Sequence, residues 1–104
     1  MLQKYDKAIR DKIPEFIEAD GNRCHIEKVS DEIFLKYLES KLIEESNEYI
    51  ASHSLEEIAD LLEVIYRIIE LRGTTLEDID NLRRIKKIER GGFDENLVLK
   101  SIMK

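Results

Sequence analysis

Two acidic clusters interrupt segments of this chain whose apolar periodicity otherwise predicts core-facing helices. The first is Glu44-Glu45-x-x-Glu48 and the second is Glu57-x-x-Asp60. A soluble helix normally keeps its carboxylates on the solvated face, because burying an unpaired charge is costly. Several carboxylates on two consecutive helices are most simply tolerated by a shared hard cation such as Mg²⁺, which prefers oxygen ligands and often binds substrate phosphates. The pattern therefore indicates metal-dependent phosphate chemistry.

The position of each acid around its helix predicts which carboxylates point inward. Each residue advances about 100° around a helix, so Glu45 falls on one line with Leu42 and Tyr49. Glu48 lies one turn further on, at the edge of this apolar stripe. Glu44 lies further round and is expected to be the most exposed of the three. It is a candidate general base, and we count Glu44 and Glu45 as candidate catalytic residues.

The second cluster lies at the start of the next helix. In a projection down the helix axis, Glu57 falls between Val64 and Ile68, which belong to a secondary apolar flank of this helix. Asp60 lies at the border of that flank. The i, i+3 spacing within each cluster brings the side chains together, and antiparallel helices would let the two clusters face each other. Four carboxylates around one space would repel each other unless they are protonated or bound to a metal ion, and Mg²⁺, with Mn²⁺ as an alternative, is the expected cofactor. The predicted ligands are Glu45, Glu48, Glu57 and Asp60.

A structural interpretation of the same acids stays open. Glutamate favours helices, and a glutamate-rich helix usually presents a solvated face. Ser54-Leu55-Glu56-Glu57 also has the form of a capping box, in which the Glu57 carboxylate would only accept a hydrogen bond at the helix start.

The elements that position these residues are predicted to be helices. Short connections imply antiparallel neighbours, hence an all-α hairpin or bundle that oligomerisation completes, within a single domain over residues 1–104. A brief extended piece around His25, Ile26 and Val29 is the only departure. The expected helices are a short one after Pro14, one from Ser30-Asp31 to about His53, one from Ser54 to about Arg72, and one from Thr74-Thr75 to Gly91-Gly92.

Composition excludes several classes of protein. A chain of 104 residues with 42% hydrophobic content has room for one core, which oligomerisation would extend. The net charge of −6 argues against a partner that is a nucleic-acid polymer. Cys24 is the only cysteine, so an intrachain disulfide is impossible and a reducing compartment is expected. Without an apolar signal core or a membrane-spanning run, we expect a cytoplasmic protein.

Three sequence blocks together resemble the MazG-like, all-α nucleoside triphosphate pyrophosphohydrolases, and in particular their small phosphoribosyl-ATP pyrophosphohydrolase-like subgroup. The acidic clusters match the E-E-x-x-E and E-x-x-D pattern of the superfamily, and the flanking blocks match the subgroup. The resemblance extends from residue 7 to residue 93. The blocks are Lys7-Ala8-Ile9-Arg10-Asp11-Lys12-Ile13-Pro14, the two acidic clusters, and Glu89-Arg90-Gly91-Gly92-Phe93.

The resemblance implies hydrolysis of a nucleotide between its α and β phosphates, which releases a nucleoside monophosphate and pyrophosphate. It implies Mg²⁺ held by Glu45, Glu48, Glu57 and Asp60, with Glu44 adjacent. It also implies homodimers or homotetramers whose helices complete a four-helix bundle. The substrate is either phosphoribosyl-ATP or a non-standard nucleotide removed in a house-cleaning role.

Cations near the flanking blocks are candidates for binding the phosphates of such a substrate. They are Lys7, Arg10, Lys12 and Arg90. The first three could instead serve solubility or pair with Asp11, and Gly91-Gly92 after Arg90 could be a plain helix stop. A second class of function also stays open, a non-catalytic helical dimerisation or adaptor protein whose acids form caps and inter-subunit ion pairs.

Overall fold

The computed structural model describes residues 2–104, which form four helices and no strand. The all-α prediction is confirmed, and the possible extended piece around His25 is not a strand. The chain consists of two compact units, one ending at Gly73 and one beginning at Thr74. The helices are α1 (Ile13–Ala19), α2 (Asp31–Ser52), α3 (Leu55–Leu71) and α4 (Leu76–Arg90).

Hydroxyl side chains begin the three long helices where the sequence predicts. The Ser30 hydroxyl accepts a hydrogen bond from a backbone N–H of the first turn of α2, at 3.3 Å. Ser54 does the same for α3 at 3.2 Å and Thr75 for α4 at 3.1 Å. These bonds satisfy N–H groups that have no partner within the helix.

The hairpin of α2 and α3 forms the body of the first unit. Its connection is only His53 and Ser54, so the two helices pack antiparallel. His53 adopts a left-handed conformation with φ of 58°, and its N–H donates to the Tyr49 carbonyl at 2.7 Å. The apolar core between the helices is small. Its residues are Ala8, Leu38 and Val64, with Phe34, Tyr37, Leu42, Ile68 and Leu71 packed around them.

Two apolar faces run along α3, and the broader one, here called the broad stripe, comprises Leu55, Ile58, Leu62, Ile65, Tyr66 and Ile69 and is mostly exposed. The narrower flank that contains Val64, Ile68 and Leu71 packs against α2 instead. Glu57 belongs to this flank, one helical turn before Leu61 and two before Val64, so it faces the same helix. The exposed apolar residues of the stripe are Leu55 at 80%, Ile58 at 38%, Leu62 at 44%, Ile65 at 36% and Tyr66 at 41%.

Residues 2–12, here called the N-terminal segment, form neither a helix nor a strand, and the part from Asp6 to Arg10 contacts the hairpin. Ala8 is buried in the core beside Leu38 and Val64. The Tyr37 hydroxyl donates a hydrogen bond of 2.7 Å to Asp6, and this bond, together with the Asp6 charge, raises the pKa of Tyr37. The segment is therefore fixed to α2 and α3 at neighbouring positions.

The second unit consists of α4 and the residues that follow it. Gly91 ends α4 with a φ of 84°, a conformation that glycine adopts without steric cost. This end matches the predicted stop at Gly91-Gly92. Within residues 2–104, none of the helices has both the length and the apolar character required to cross a bilayer.

Candidate metal centre

The α2–α3 hairpin brings all five acidic residues of the two clusters together. One carboxylate oxygen from each of Glu45, Glu57 and Asp60 lies within 4.8 Å of the others. The same limit holds for Glu44, Glu45 and Glu48. Glu45 belongs to both groups, and it is therefore the centre of the arrangement.

Burial sets Glu45 apart from an ordinary surface glutamate. Its side chain is only 7% exposed. One oxygen, Oε1, lies 3.3 Å from the Lys41 ammonium, whereas Oε2 is buried without a hydrogen-bond partner among residues 2–104. Glu57 Oε2 is in the same condition. Since leaving such an acceptor unpaired is unfavourable, the two oxygens fit a cation bound between the helices.

The pKa of Glu57 reflects how close the other acidic residues are. Burial, followed by the nearby carboxylates of Glu48 and Glu45, raises the pKa of Glu57 to about 7. At neutral pH and without a cation, the acidic group therefore still holds a proton for part of the time. A divalent cation would replace that proton, because it favours the charged form of every carboxylate around it.

The capping-box interpretation of Glu57 does not describe its contacts. The backbone N–H of Ser54 donates to the Ser52 hydroxyl at 3.2 Å, and no hydrogen bond joins it to the Glu57 carboxylate in residues 2–104. The Ser54 hydroxyl accepts from the backbone N–H of Glu56. Glu57 therefore does not act as the capping-box acceptor of α3, and capping does not account for its position.

Three cations border the acids. Arg10 Nη2 lies 2.7 Å from Asp60 Oδ1, and Lys7 Nζ lies 3.5 Å from Glu44 Oε1. Lys41 Nζ lies 3.5 Å from the same Glu44 oxygen, in addition to its contact with Glu45. Sequence reasoning did not single out Lys41, although its i, i+3 and i, i+4 spacing to the first cluster was a visible signal.

The expected order of exposure in the first cluster is wrong at one position. Glu48, rather than Glu44, is the exposed member, while the Glu44 side chain is 32% exposed. The reason is that Lys7 and Lys41 both lie against Glu44, and the helical projection of α2 contains no information about a separate segment. Glu45 is buried, as the projection predicted.

Two of the predicted phosphate-binding residues remain apart from these contacts. Lys12 is exposed at the start of α1 and forms no ion pair within the described part of the chain. Arg90 is the exposed last residue of α4, in the second unit, where it lines a surface hollow with residues 91–95 and Leu97. Their assignment to phosphate binding stays a prediction.

Comparison with known proteins gives no match, since no family model, no curated protein and no solved structure is significantly similar to the chain. The resemblance to the MazG-like enzymes therefore stays a prediction that rests on its three sequence blocks. The first block includes Lys7, Arg10 and the start of α1, and the second forms the acidic site. The third spans the end of α4.

The donor set suits a hard divalent cation. It consists of carboxylate oxygens only, contributed by α2 and α3, and two of these oxygens are buried without a partner in residues 2–104. Mg²⁺ and Mn²⁺ both accept such ligands, and Mg²⁺ commonly keeps waters and substrate phosphates in its remaining positions. The exposed Glu48 lies at the side where solvent reaches the group.

Proposed function

We propose that this chain is a Mg²⁺-dependent nucleotide pyrophosphohydrolase, which cleaves between the α and β phosphates to give a nucleoside monophosphate and pyrophosphate. The observation that carries the proposal is that one carboxylate oxygen of Glu45 and one of Glu57, between two acid-bearing helices, are buried without a hydrogen-bond partner in residues 2–104. The resemblance supplies the reaction, and the substrate is phosphoribosyl-ATP or a non-standard nucleoside triphosphate.

In this proposal the acidic residues have two roles, metal binding and general base catalysis. Glu45, Glu48, Glu57 and Asp60 hold the cation, which when bound would offset the charge of a polyphosphate and lower the pKa of an attacking water. Glu44 is the proposed general base, because it adjoins the group and its 32% exposure lets solvent reach it. Lys7 and Arg10 bind phosphate oxygens, since both already lie at the acids.

We also propose that a second copy of the chain covers the exposed stripe of α3, which would give a homodimer or homotetramer with a four-helix bundle. Leu55 and Leu62 are 80% and 44% exposed, although they lie on the more apolar side of α3. Exposed apolar area of this kind marks an interaction surface.

The alternative is a non-catalytic dimerisation or adaptor protein, and the same exposed stripe favours it. The two candidates differ in what the acids do. An adaptor gains no particular stability from Mg²⁺, whereas a preformed metal centre is stabilised by the ion that it binds.

The deciding experiment measures pyrophosphate release from phosphoribosyl-ATP and a panel of canonical and modified nucleoside triphosphates, with and without Mg²⁺. We expect metal-dependent release from at least one of them. Glu45→Gln keeps the size of the side chain but removes its charge, and it should lower the rate by at least about 100-fold.

The matched control is Glu63→Gln, which makes the same change at an exposed position of α3. It should retain the activity of the unmodified chain. Full activity in Glu45→Gln would contradict the proposed site, and the absence of release from every compound would favour the adaptor.

A further inference from the structure

The N-terminal segment carries two cations to the acidic group, one for each helix of the hairpin. Lys7 contacts Glu44 on α2 at 3.5 Å, and Arg10 contacts Asp60 on α3 at 2.7 Å. Ala8, between them in sequence, is buried in the core. In this structure, the positive charge next to Asp60 is therefore the guanidinium of Arg10, a residue of the same chain.

The contact between Arg10 and Asp60 is close but easily exchanged. The two side chains are 57% and 38% exposed, and ion pairs with this access to water contribute little to stability. A divalent cation bound by Asp60 would also repel the guanidinium, since both carry positive charge on the same carboxylate. Arg10 and the metal ion are thus competitors for Asp60.

The anchors of the segment allow the arginine side chain to move alone. Asp6 accepts the 2.7 Å hydrogen bond from Tyr37, and Ala8 packs against Leu38 and Val64. Both contacts precede Arg10 and involve none of the acids. When its side chain leaves Asp60, the backbone keeps it beside the metal centre, where a planar guanidinium is well suited to bind phosphate oxygens in pairs.

We propose that Arg10 is an exchangeable counter-ion, which neutralises Asp60 until a divalent cation binds and is then released to bind the phosphates of the nucleotide. This inference rests on the proposed function, and it adds an order of binding, with the metal ion before the nucleotide. It predicts opposite effects of one substitution on two ligands. Loss of Arg10 improves metal binding and weakens phosphate binding.

The test is calorimetric titration of Mn²⁺ into the metal-free chain and into the Arg10→Gln variant, without nucleotide. Arg10→Gln should bind Mn²⁺ about twofold to fivefold more tightly, in line with the loss of a partly exposed ion pair. With saturating Mg²⁺, the same variant should bind inorganic pyrophosphate about tenfold more weakly, because charge-assisted hydrogen bonds are lost.

The matched control is Lys4→Gln, which removes one positive charge from the same segment. Lys4 is exposed and contacts no acid in residues 2–104, so its variant should bind both ligands like the unmodified chain. Equal Mn²⁺ affinity in all three proteins would overturn the exchange while leaving the metal centre in place. Weaker Mn²⁺ binding by Arg10→Gln would also overturn it and make Arg10 a positioning residue for Asp60.

Failure of the proposed metal centre gives a different result, in which the folded, unmodified chain binds no Mn²⁺, and both proposals are then rejected. If Arg10→Gln does not fold, the side-chain Nε–Hε signal of Arg10 in a ¹H–¹⁵N spectrum replaces it, assigned with Arg10→Lys. That signal should shift when Mg²⁺ is added to the unmodified chain. An unchanged signal at saturating Mg²⁺ would refute the exchange.

Discussion

At the scale of single residues, the surroundings of Glu57 change the pKa of its carboxyl group. Its pKa of about 7 follows from burial and from the neighbouring Glu48 and Glu45. Between the usual carboxyl pKa and about 7, the folded state holds a proton that the unfolded state releases. The metal-free protein should therefore lose stability as pH rises through this window.

A series of thermal melts checks this pH dependence. Without divalent cations, the melting temperature should fall between about pH 5 and pH 7.5, and Glu57→Gln should flatten the fall because its amide does not titrate. Saturating Mg²⁺ should raise the melting temperature most at the upper end of the range, where the carboxylates are ionised. A Glu57→Gln variant with an unchanged slope would assign the effect to other groups.

The sequence predicted the acids of the site better than the cations around them. The position of Glu45 followed from the 3.6-residue period of α2, and the structure buries it. The contacts of Lys7 and Arg10 join positions 37 and 50 residues apart, and no local pattern encodes such contacts. Lys41 could have been found, because its spacing to Glu45 is a common helical ion pair.

At the scale of helices and segments, the caps explain why the helix boundaries were predictable. Ser30, Ser54 and Thr75 each satisfy a backbone N–H within the next few residues, so the signal is local. Which flank of α3 faces α2 was not decided by the sequence, because both flanks are apolar. The narrower one packs inward, and it is also the flank that carries Glu57.

The small core makes the hairpin sensitive to the loss of single side chains. Leu38 is 5% exposed and belongs to a core cluster that has, among residues 2–104, only two other buried members. We expect Leu38→Ala to lower the free energy of unfolding by about 2–5 kcal/mol, since it removes buried methyl groups and leaves a cavity. Urea denaturation followed by circular dichroism measures this change.

The control for this prediction is the same substitution at a solvated position. Leu2 is 81% exposed, so Leu2→Ala should change the free energy of unfolding by less than about 0.5 kcal/mol. Equal losses in the two variants would mean that the contacts of Leu38 do not stabilise the hairpin.

At the scale of the whole molecule, the exposed stripe of α3 predicts self-association. Leu62 is 44% exposed on that stripe, and a charge placed there would have to be buried in any interface that covers it. Leu62→Glu should therefore shift the chain towards a monomer in size-exclusion chromatography with light scattering, and the unmodified chain should be a dimer or larger. Glu63→Gln, on the next residue, should leave the mass unchanged.

A monomeric unmodified chain at high concentration would contradict the proposed oligomer. A monomeric Leu62→Glu that keeps its helical circular dichroism would separate association from folding.

The two-residue connection between α2 and α3 affects the order in which parts of the chain fold. All four proposed ligands and both exchanging partners, Arg10 and Asp60, lie before Gly73, where the first unit ends. Closing so short a loop costs little entropy, and contacts that are local in sequence form quickly. The hairpin that gathers the acids is therefore expected to form early when the chain folds, and it could then select its ion without waiting for α4.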